Sequence, residues 1–294
     1  MPELPDVEVY LGALEPRIAG KVLKGIRIAN PFVLRTVDPR PAELAGARVT
    51  GVRRVGKRIV IALEDERFIV VHLMVTGRFR WLAAGAKVPG KVGLAAFDFD
   101  GGALVMTEQG TKRRASIHLL RGEAALRGMD RGGLEVLDAT PEQFREALTR
   151  ERHTVKRALT DPRLFSGIGN AYSDEILHRA KLSPLKLTDK LDDDEHARLY
   201  AATRETLLEW IERLRREAGD GFPEKVVAFH PAMAVHGRFG QPCPVCGAPV
   251  QRIVYAENET NYCARCQTGG KRLADRAMSR LLKEDWPRSI DEVE

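Results

Sequence analysis

The sequence predicts an α+β protein: an N-terminal β-sandwich, a helical middle, and a C-terminal zinc ribbon with an extra basic helix. Three observations predict it. Between Val22 and about Leu120, short runs of branched and aromatic residues alternate with Gly, Asp and Pro. From Thr140 to Glu217 the apolar residues recur at helical spacing. All four cysteines then fall into two Cys-x-x-Cys pairs. A chain of 294 residues makes about two domains at roughly 150 residues each, so a disulfide-held peptide is excluded.

Taken in order, Val7, Leu11, Leu14 and Ile18 predict a helix over 6–18 that ends or kinks near Pro16. The extreme N-terminus is thus tethered to a rigid element. Strands are predicted over 49–55, 59–63, 68–75, 94–99 and 104–106, where branched residues are bounded by turn formers. Thr140-Pro141-Glu142 reads as a capped helix start. Helices are expected over 141–149, 156–160, 170–180 and 192–217. The acidic run Asp192 to Glu195 suits the positive end of the last helix dipole and needs no further role. Gly219 to Pro223 reads as a loop.

The cysteine segment carries the sharpest chemistry. Cys243-Pro-Val-Cys246 and Cys263-Ala-Arg-Cys266 let four thiolates converge on one tetrahedral Zn²⁺. A redox pair needs only one such turn, and disulfides are unexpected without export. Four sulfurs leave no place for water, so this zinc is structural.

Hydrophobic residues are 44% and charged residues 30%, which places the chain outside the disordered class. Residues 1–6 lack the positive and apolar regions of a secretory signal, and the longest apolar run is too short to cross a bilayer. A cytoplasmic protein with no membrane partner is expected. Lys plus Arg outnumber Asp plus Glu by 47 to 41, which favours a polyanionic partner modestly. The clusters around Arg53–Arg58, Lys112–Arg114 and Arg150–Arg157 fit either nucleic acid or a solvated face.

Pro2 and Glu3 admit two readings. A second-position proline is ordinarily a residue of initiation. With Met1 removed, however, Pro2 becomes a secondary amine near the pKa of about 8 of an α-amino group. Such an amine can attack a sugar carbon and form an iminium, while Glu3 protonates a departing oxygen.

Pro2-Glu3-Leu4-Pro5-Asp6-Val7-Glu8, Gly56-Lys57, Lys156, Gly167-Ile168-Gly169-Asn170-Ala171-Tyr172-Ser173-Asp174-Glu175, and His236-Gly237-Arg238 leading into the ribbon stand in this order. Together they resemble the formamidopyrimidine-DNA glycosylase / endonuclease VIII family over residues 1 to about 266. The resemblance implies a β-sandwich, a helix-two-turn-helix domain and a zinc ribbon, over 1–135, 136–232 and 233–294. It implies a bifunctional glycosylase and abasic-site lyase of base excision repair, acting as a monomer on damaged or abasic DNA with no organic cofactor. Pro2 would be the nucleophile, Glu3 its acid-base partner, and Lys57 a third catalytic residue, on the hairpin that contacts the lesion strand. Lys156, Asn170, Arg113, Arg114 and Asn258 would bind DNA. At the Gly-x-Gly-Asn turn the physics concurs, since a helix start offers N–H groups to phosphate. A plain cap after a turn is the other reading.

The sequence departs from the family at four places. Val75 stands where a base-replacing methionine is expected, and Met74, one residue earlier on the strand, should face the core. Ala115 replaces a wedge phenylalanine. Asn258 replaces the hairpin arginine, with Glu257 and Glu259 repelling phosphate beside it. A helix over 273–284 follows, with Leu273, Ala277, Met278, Leu281 and Leu282 as its buried face. The basic side of that helix, Arg276, Arg280 and Lys283 with Lys271 and Arg272 before it, either replaces the missing charge or is solvated. These changes leave two function classes in play: the enzyme, and a non-catalytic binder of damaged DNA on the same scaffold. A zinc-ribbon RNA or ribosome binder explains the charge and cysteines but not Pro2-Glu3 with Lys57.

Overall fold

The structure, a computed structural model, describes all residues except Thr111, Lys225, Val227, Ala228, Ala256, Glu257, Val293 and Glu294, and all side chains of the rest except Tyr255, Arg276, Ala277 and Met278. The chain groups into two compact units, Met1–Arg131 with Trp210–Ala228, and Gly132–Glu209 with Phe229–Glu294.

In the first unit, helix α1 (Leu4–Ile18) begins almost at the terminus, with Glu3 at its N-cap and a proline in the first turn. A proline there sacrifices no helical hydrogen bond. Asp6 Oδ2 accepts the Glu3 N–H at 2.8 Å, satisfying one of the donors that every helix start leaves open. The eight strands that follow are β1 (Leu23–Ile28), β2 (Val49–Val55), β3 (Arg58–Leu63), β4 (Arg67–His72), β5 (Gly77–Leu82), β6 (Gly93–Phe99), β7 (Gly102–Glu108) and β8 (Ser116–Arg121). Short helices α2 (Pro41–Leu44) and α3 (Glu123–Arg127) punctuate them. One sheet orders β1-β6-β7-β5 and the other β2-β3-β4-β8, with every pair antiparallel.

Period-two alternation explains the layering. In β3, Ile59, Ile61 and Leu63 enter one core with Phe79, Phe97 and Met106 of the opposite sheet. Val60 points the other way, against Phe68, Val70 and Leu126. Val7, Tyr10, Leu14 and Ile18 of α1 join the first core. Tyr10 meets Phe79 edge-on at 5.7 Å, and its hydroxyl accepts the Phe79 N–H at 3.4 Å. The terminal helix is therefore a component of the sandwich.

The predicted strand over 68–75 is shorter in the structure. Strand β4 stops at His72, and Leu73 O accepts the Gly77 N–H at 2.9 Å. A Cβ at Gly77 would stand 2.1 Å from that oxygen, so the reversal requires glycine. Strand alternation does not govern such a turn. Met74 sits there at φ +54°, half-buried and outside the sandwich core, which corrects its expected core position; Val75 is exposed. Strands β1, β5 and β8 have no predicted counterpart.

The second unit opens with α4 (Pro141–Thr149). Its capping box is reciprocal: Thr140 Oγ1 accepts from Gln143 N–H, and Gln143 Oε1 from Thr140 N–H. Helices α5 (Val155–Thr160), α6 (Asn170–Arg179) and α7 (Asp193–Ala218) follow, the last nine residues of α7 being grouped with the first unit. The ribbon pairs β9 (Gln251–Tyr255) antiparallel with β10 (Asn258–Tyr262), followed by α8 (Ala264–Thr268).

The last segment is part of that ribbon. Its helix, α9 (Arg276–Leu282), is shorter than predicted. Before it, Leu273 N–H donates to Tyr262 Oη at 2.7 Å; after it, Ile290 is fully buried in the ribbon core beside Val250 and Tyr262. Arg272 lies over the Trp286 ring at 4.8 Å. Of the predicted buried face, Ala277 and Met278 lie outside the described side chains, as does basic Arg276, and Leu281 is 75% exposed. A seven-residue helix cannot present the full stripe that a longer one would. Ile290→Ala is expected to cost the ribbon about 2 to 4 kcal/mol, read as faster amide exchange at Val250 and Tyr262 with exchange in the sandwich unchanged.

Candidate functional site

The sequence-predicted residues fall into groups on each unit. In the first, α1 places the N-terminal segment: Pro2 and Glu3 are buried and Met1 is half-buried. Burial pushes the terminal ammonium below the ordinary α-amino value, and the charges of Arg78 and Lys57 push the same way while Glu3 and Asp6 oppose them. Asp6 moves in the other direction. Burial raises its carboxyl to about 7, despite the hydrogen bond from Glu3 N–H and with the Glu3 charge adding to the rise. Lys57 is the second residue of the two-residue hairpin between β2 and β3, whose first residue, Gly56, has φ +60°, as a tight primed turn requires.

His72 closes the same neighbourhood. Burial, then Arg58 and Lys57, lower its imidazole to about 4. Nδ1 accepts the Met74 N–H at 3.0 Å, so the neutral ring carries its proton on Nε2. An amine with a lowered pKa is a nucleophile at neutral pH, and a carboxyl near 7 can both give and take a proton. Arg78 and His72 escaped sequence reasoning, since each reads as part of a strand and only folding sets it near the terminus; Asp6 stood in the N-terminal motif but was given no role.

Arg113 and Arg114 lie between β7 and β8, in a segment where Thr111 is outside the described residues. Both are exposed. Arg113 donates to the Lys91 carbonyl, while buried Glu108 accepts the N–H groups of Arg114 at 3.0 Å and Ala115 at 3.2 Å. Ala115 is in the sandwich core, so it offers nothing to an opened base stack.

In the second unit, Lys156 on α5 donates to Asn170 O at 2.7 Å and to Asp174 Oδ1 at 2.5 Å. The other Asp174 oxygen accepts from His236 Nδ1 at 2.7 Å. Glu175 accepts three consecutive N–H groups, from Ala234, Val235 and His236. Asn170 is the first residue of α6, after Gly167 at φ +80°. One of its two amide donors goes to Glu259 O of β10 at 2.7 Å. Asn258 is exposed at the start of β10. Arg252 Nη1 lies 3.4 Å from the Glu259 carboxylate, which offsets part of the expected repulsion; Glu257 is outside the described residues.

The four cysteine sulfurs lie within 4.8 Å of one another, with Cys246 to Cys263 at 3.4 Å and Cys243 to Cys266 at 3.9 Å. A zinc–sulfur bond of about 2.3 Å in a tetrahedron implies sulfur separations of about 3.8 Å. The cluster fits that ion. Behind it, His178 Nε2 lies 3.2 Å from Cys243 Sγ, and Gln267 Oε1 accepts the Cys263 N–H at 2.8 Å. Such outer partners orient ligands, and His178 had no sequence signal.

Comparison with known proteins covers the same ground. The chain matches the formamidopyrimidine-DNA glycosylase N-terminal domain over residues 1–116, the H2TH domain of the same glycosylase over 135–218, and the zinc finger found in FPG and IleRS over 240–269. It is 34% identical to the formamidopyrimidine-DNA glycosylase of Heliobacterium modesticaldum, covering 91% of this chain and all of that one. It is 32% identical to that of Symbiobacterium thermophilum, covering 91% and 89%. Among solved structures, the Lactococcus lactis Fpg bound to abasic-site DNA superposes with a TM-score of 0.79 at 27% identity over 90% of this chain and 99% of that one. MutM with carbocyclic 8-oxo-G DNA gives 0.78 at 28%, over 91% and 100%.

Two outcomes follow from this geometry. Folding raises Asp6 from 3.8 to about 7, so its contribution to stability is complete below about pH 4 and is lost as pH rises through 7. Asp6→Asn should therefore gain stability relative to the parent between pH 4 and 8, with a ceiling on the order of 4 kcal/mol, measured by denaturant unfolding. Cys246→Ser should release the metal and unfold the ribbon, seen as loss of zinc by elemental analysis.

Proposed function

The chain belongs to the formamidopyrimidine-DNA glycosylase family, and from its own residues we infer how it works as a DNA glycosylase of base excision repair with abasic-site lyase activity. One observation carries the assignment of the reacting group: the N-terminal amine is buried beside Glu3, Asp6, Lys57 and Arg78, and its pKa is lowered. Removal of Met1 would hand that place to the secondary amine of Pro2; with Met1 retained, the Pro2 nitrogen is an amide.

In the proposed reaction, the Pro2 nitrogen attacks C1′ of the damaged nucleotide. The C1′–base bond breaks and the base leaves with the proton that the amine gives up; the C1′–O4′ bond then opens, with Glu3 protonating O4′, to give an open-chain iminium at C1′. Loss of a C2′ proton then expels the 3′ phosphate, loss of a C4′ proton expels the 5′ phosphate, and water releases the sugar fragment and restores the amine. Asp6, near 7 and bonded to the Glu3 backbone, holds the start of α1 in place. Lys57 would steady the lesion strand, and Lys156, Asn170, Asn258, Arg113 and Arg114 would take phosphates, which fix register without reading sequence. The four cysteines hold one structural zinc, which fixes the β9–β10 hairpin. The proposed domain limits are 1–135, 136–232 and 233–294.

The substrate is DNA carrying a damaged base or an abasic site. Among the described residues no helix is long and apolar enough to cross a membrane; the bacterial relatives support a cytoplasmic enzyme that meets its DNA on the nucleoid. With correctly processed protein, borohydride should trap a covalent adduct on abasic DNA. Acetylating the terminal amine of the processed protein should abolish that adduct while leaving affinity largely unchanged, and Glu3→Gln should slow base excision by about 10²- to 10⁴-fold. No adduct from the processed parent would instead identify a non-catalytic binder. End-labelled abasic, oxidised-purine and oxidised-pyrimidine oligonucleotides, scored for cleavage, assign the preferred lesion.

A further inference from the structure

A DNA-gripping lysine is ordinarily an open charge, yet Lys156 is built otherwise. Its side chain is 12% exposed, and its nearest charged partner, Asp174, is completely buried. An ammonium has three donors. Two are committed, to the Asn170 carbonyl at 2.7 Å and to Asp174 Oδ1 at 2.5 Å. One donor is left for an anion, and it stands beside the glycine turn at the start of α6.

Asp174 cannot swing aside to free the lysine. Its second oxygen is fixed by His236 Nδ1 at 2.7 Å, and the Phe229 ring stacks on His236 at 5.4 Å and 1°. The backbone of His236 is pinned in turn by Glu175 at 2.9 Å, and Gly237 N–H donates to Asn261 Oδ1 at 2.7 Å. The carboxylate is thus immobilised between α5 and the segment entering the ribbon. A rigid anion against a cation does two things. It fixes the direction of the remaining N–H, and it cancels much of the field that the cation would project toward any passing phosphate.

We propose that Asp174 is a positioning residue that restrains Lys156, so that the lysine grips only a phosphate delivered along its third N–H, as in a lesion strand bent open, and contributes little to binding of straight, undamaged duplex. This inference rests on the function proposed above and adds to it a basis for discrimination. Without Asp174 the lysine would act as one more general surface charge, and undamaged DNA would hold the protein longer.

Counterion release tests this directly, because each phosphate neutralised on duplex DNA contributes about 0.9 to the slope of log K against log salt. Binding is measured with undamaged duplex and with duplex carrying a stable abasic-site analogue, using zinc-loaded full-length protein whose melting temperature and metal content match the parent. For Lys156→Gln the expected result is an unchanged slope on undamaged duplex with about a tenfold weaker hold on the abasic duplex. For Asp174→Asn, undamaged duplex should bind more tightly at low salt with a slope steeper by about 0.9, and preference for the abasic duplex should fall about tenfold. Combining the two substitutions should return the slope to the parent value. A slope on undamaged duplex that drops by about 0.9 in Lys156→Gln would show the lysine to be unrestrained and overturn the proposal, as would proportional weakening on both DNAs in Asp174→Asn. Should Asp174→Asn fail to fold, the Lys156→Gln slope decides alone. A parent protein with neither preference for the abasic duplex nor a borohydride adduct would refute the glycosylase reading itself, an outcome separate from either variant's slope.

Discussion

The first unit depends on the docking of one helix. A reactive group at a chain end is normally the most mobile atom in a protein, since termini fray unless tied down. Here α1 starts at residue 4, and Tyr10, Leu14 and Ile18 are wholly buried in the sandwich core. Rigidity is thereby transmitted to within three residues of the terminus. The same burial lowers the terminal amine and raises Asp6, so mechanical fixation and chemical activation have a single cause, the removal of water from the first turn.

The second unit is organised instead around two buried carboxylates. Asp174 and Glu175 are successive residues on α6 with distinct tasks. The first ties a lysine side chain to an imidazole, and the second gathers three backbone N–H groups of the segment leading to the ribbon. Burial pushes the Glu175 carboxyl above its usual range, although the three donors oppose the shift. Burying these carboxylates carries a desolvation penalty, which their hydrogen bonds offset only in the one arrangement that makes them all. That restriction suits an element that must present groups to DNA at fixed spacing.

How much of this was legible in the sequence follows from where each signal resides. Strand β2 and helix α4 were readable to the residue, because branched residues between turn formers and a Thr-Pro-Glu helix start are local patterns. The four cysteines were equally plain. Strand β5, Gly-Arg-Phe-Arg-Trp-Leu, was hidden because the apolar run before it swallowed the turn at Met74 and Val75, whose existence depends on a contact between Leu73 O and Gly77. The carboxylate network was invisible for a stronger reason: Asp174 meets partners 18 and 62 residues away, and no periodicity encodes such meetings. The Pro2-Glu3 pair was legible as chemistry, whereas Arg78 and His72 entered its surroundings only through folding.

The place of the terminal nitrogen also divides the protein into two chemical species. A chain that keeps Met1, half-buried at the start of the sandwich, carries an amide at Pro2 and has no secondary amine to offer. Processed and unprocessed copies would then share one fold and one ribbon, and differ in reactivity and in the mass of a single residue.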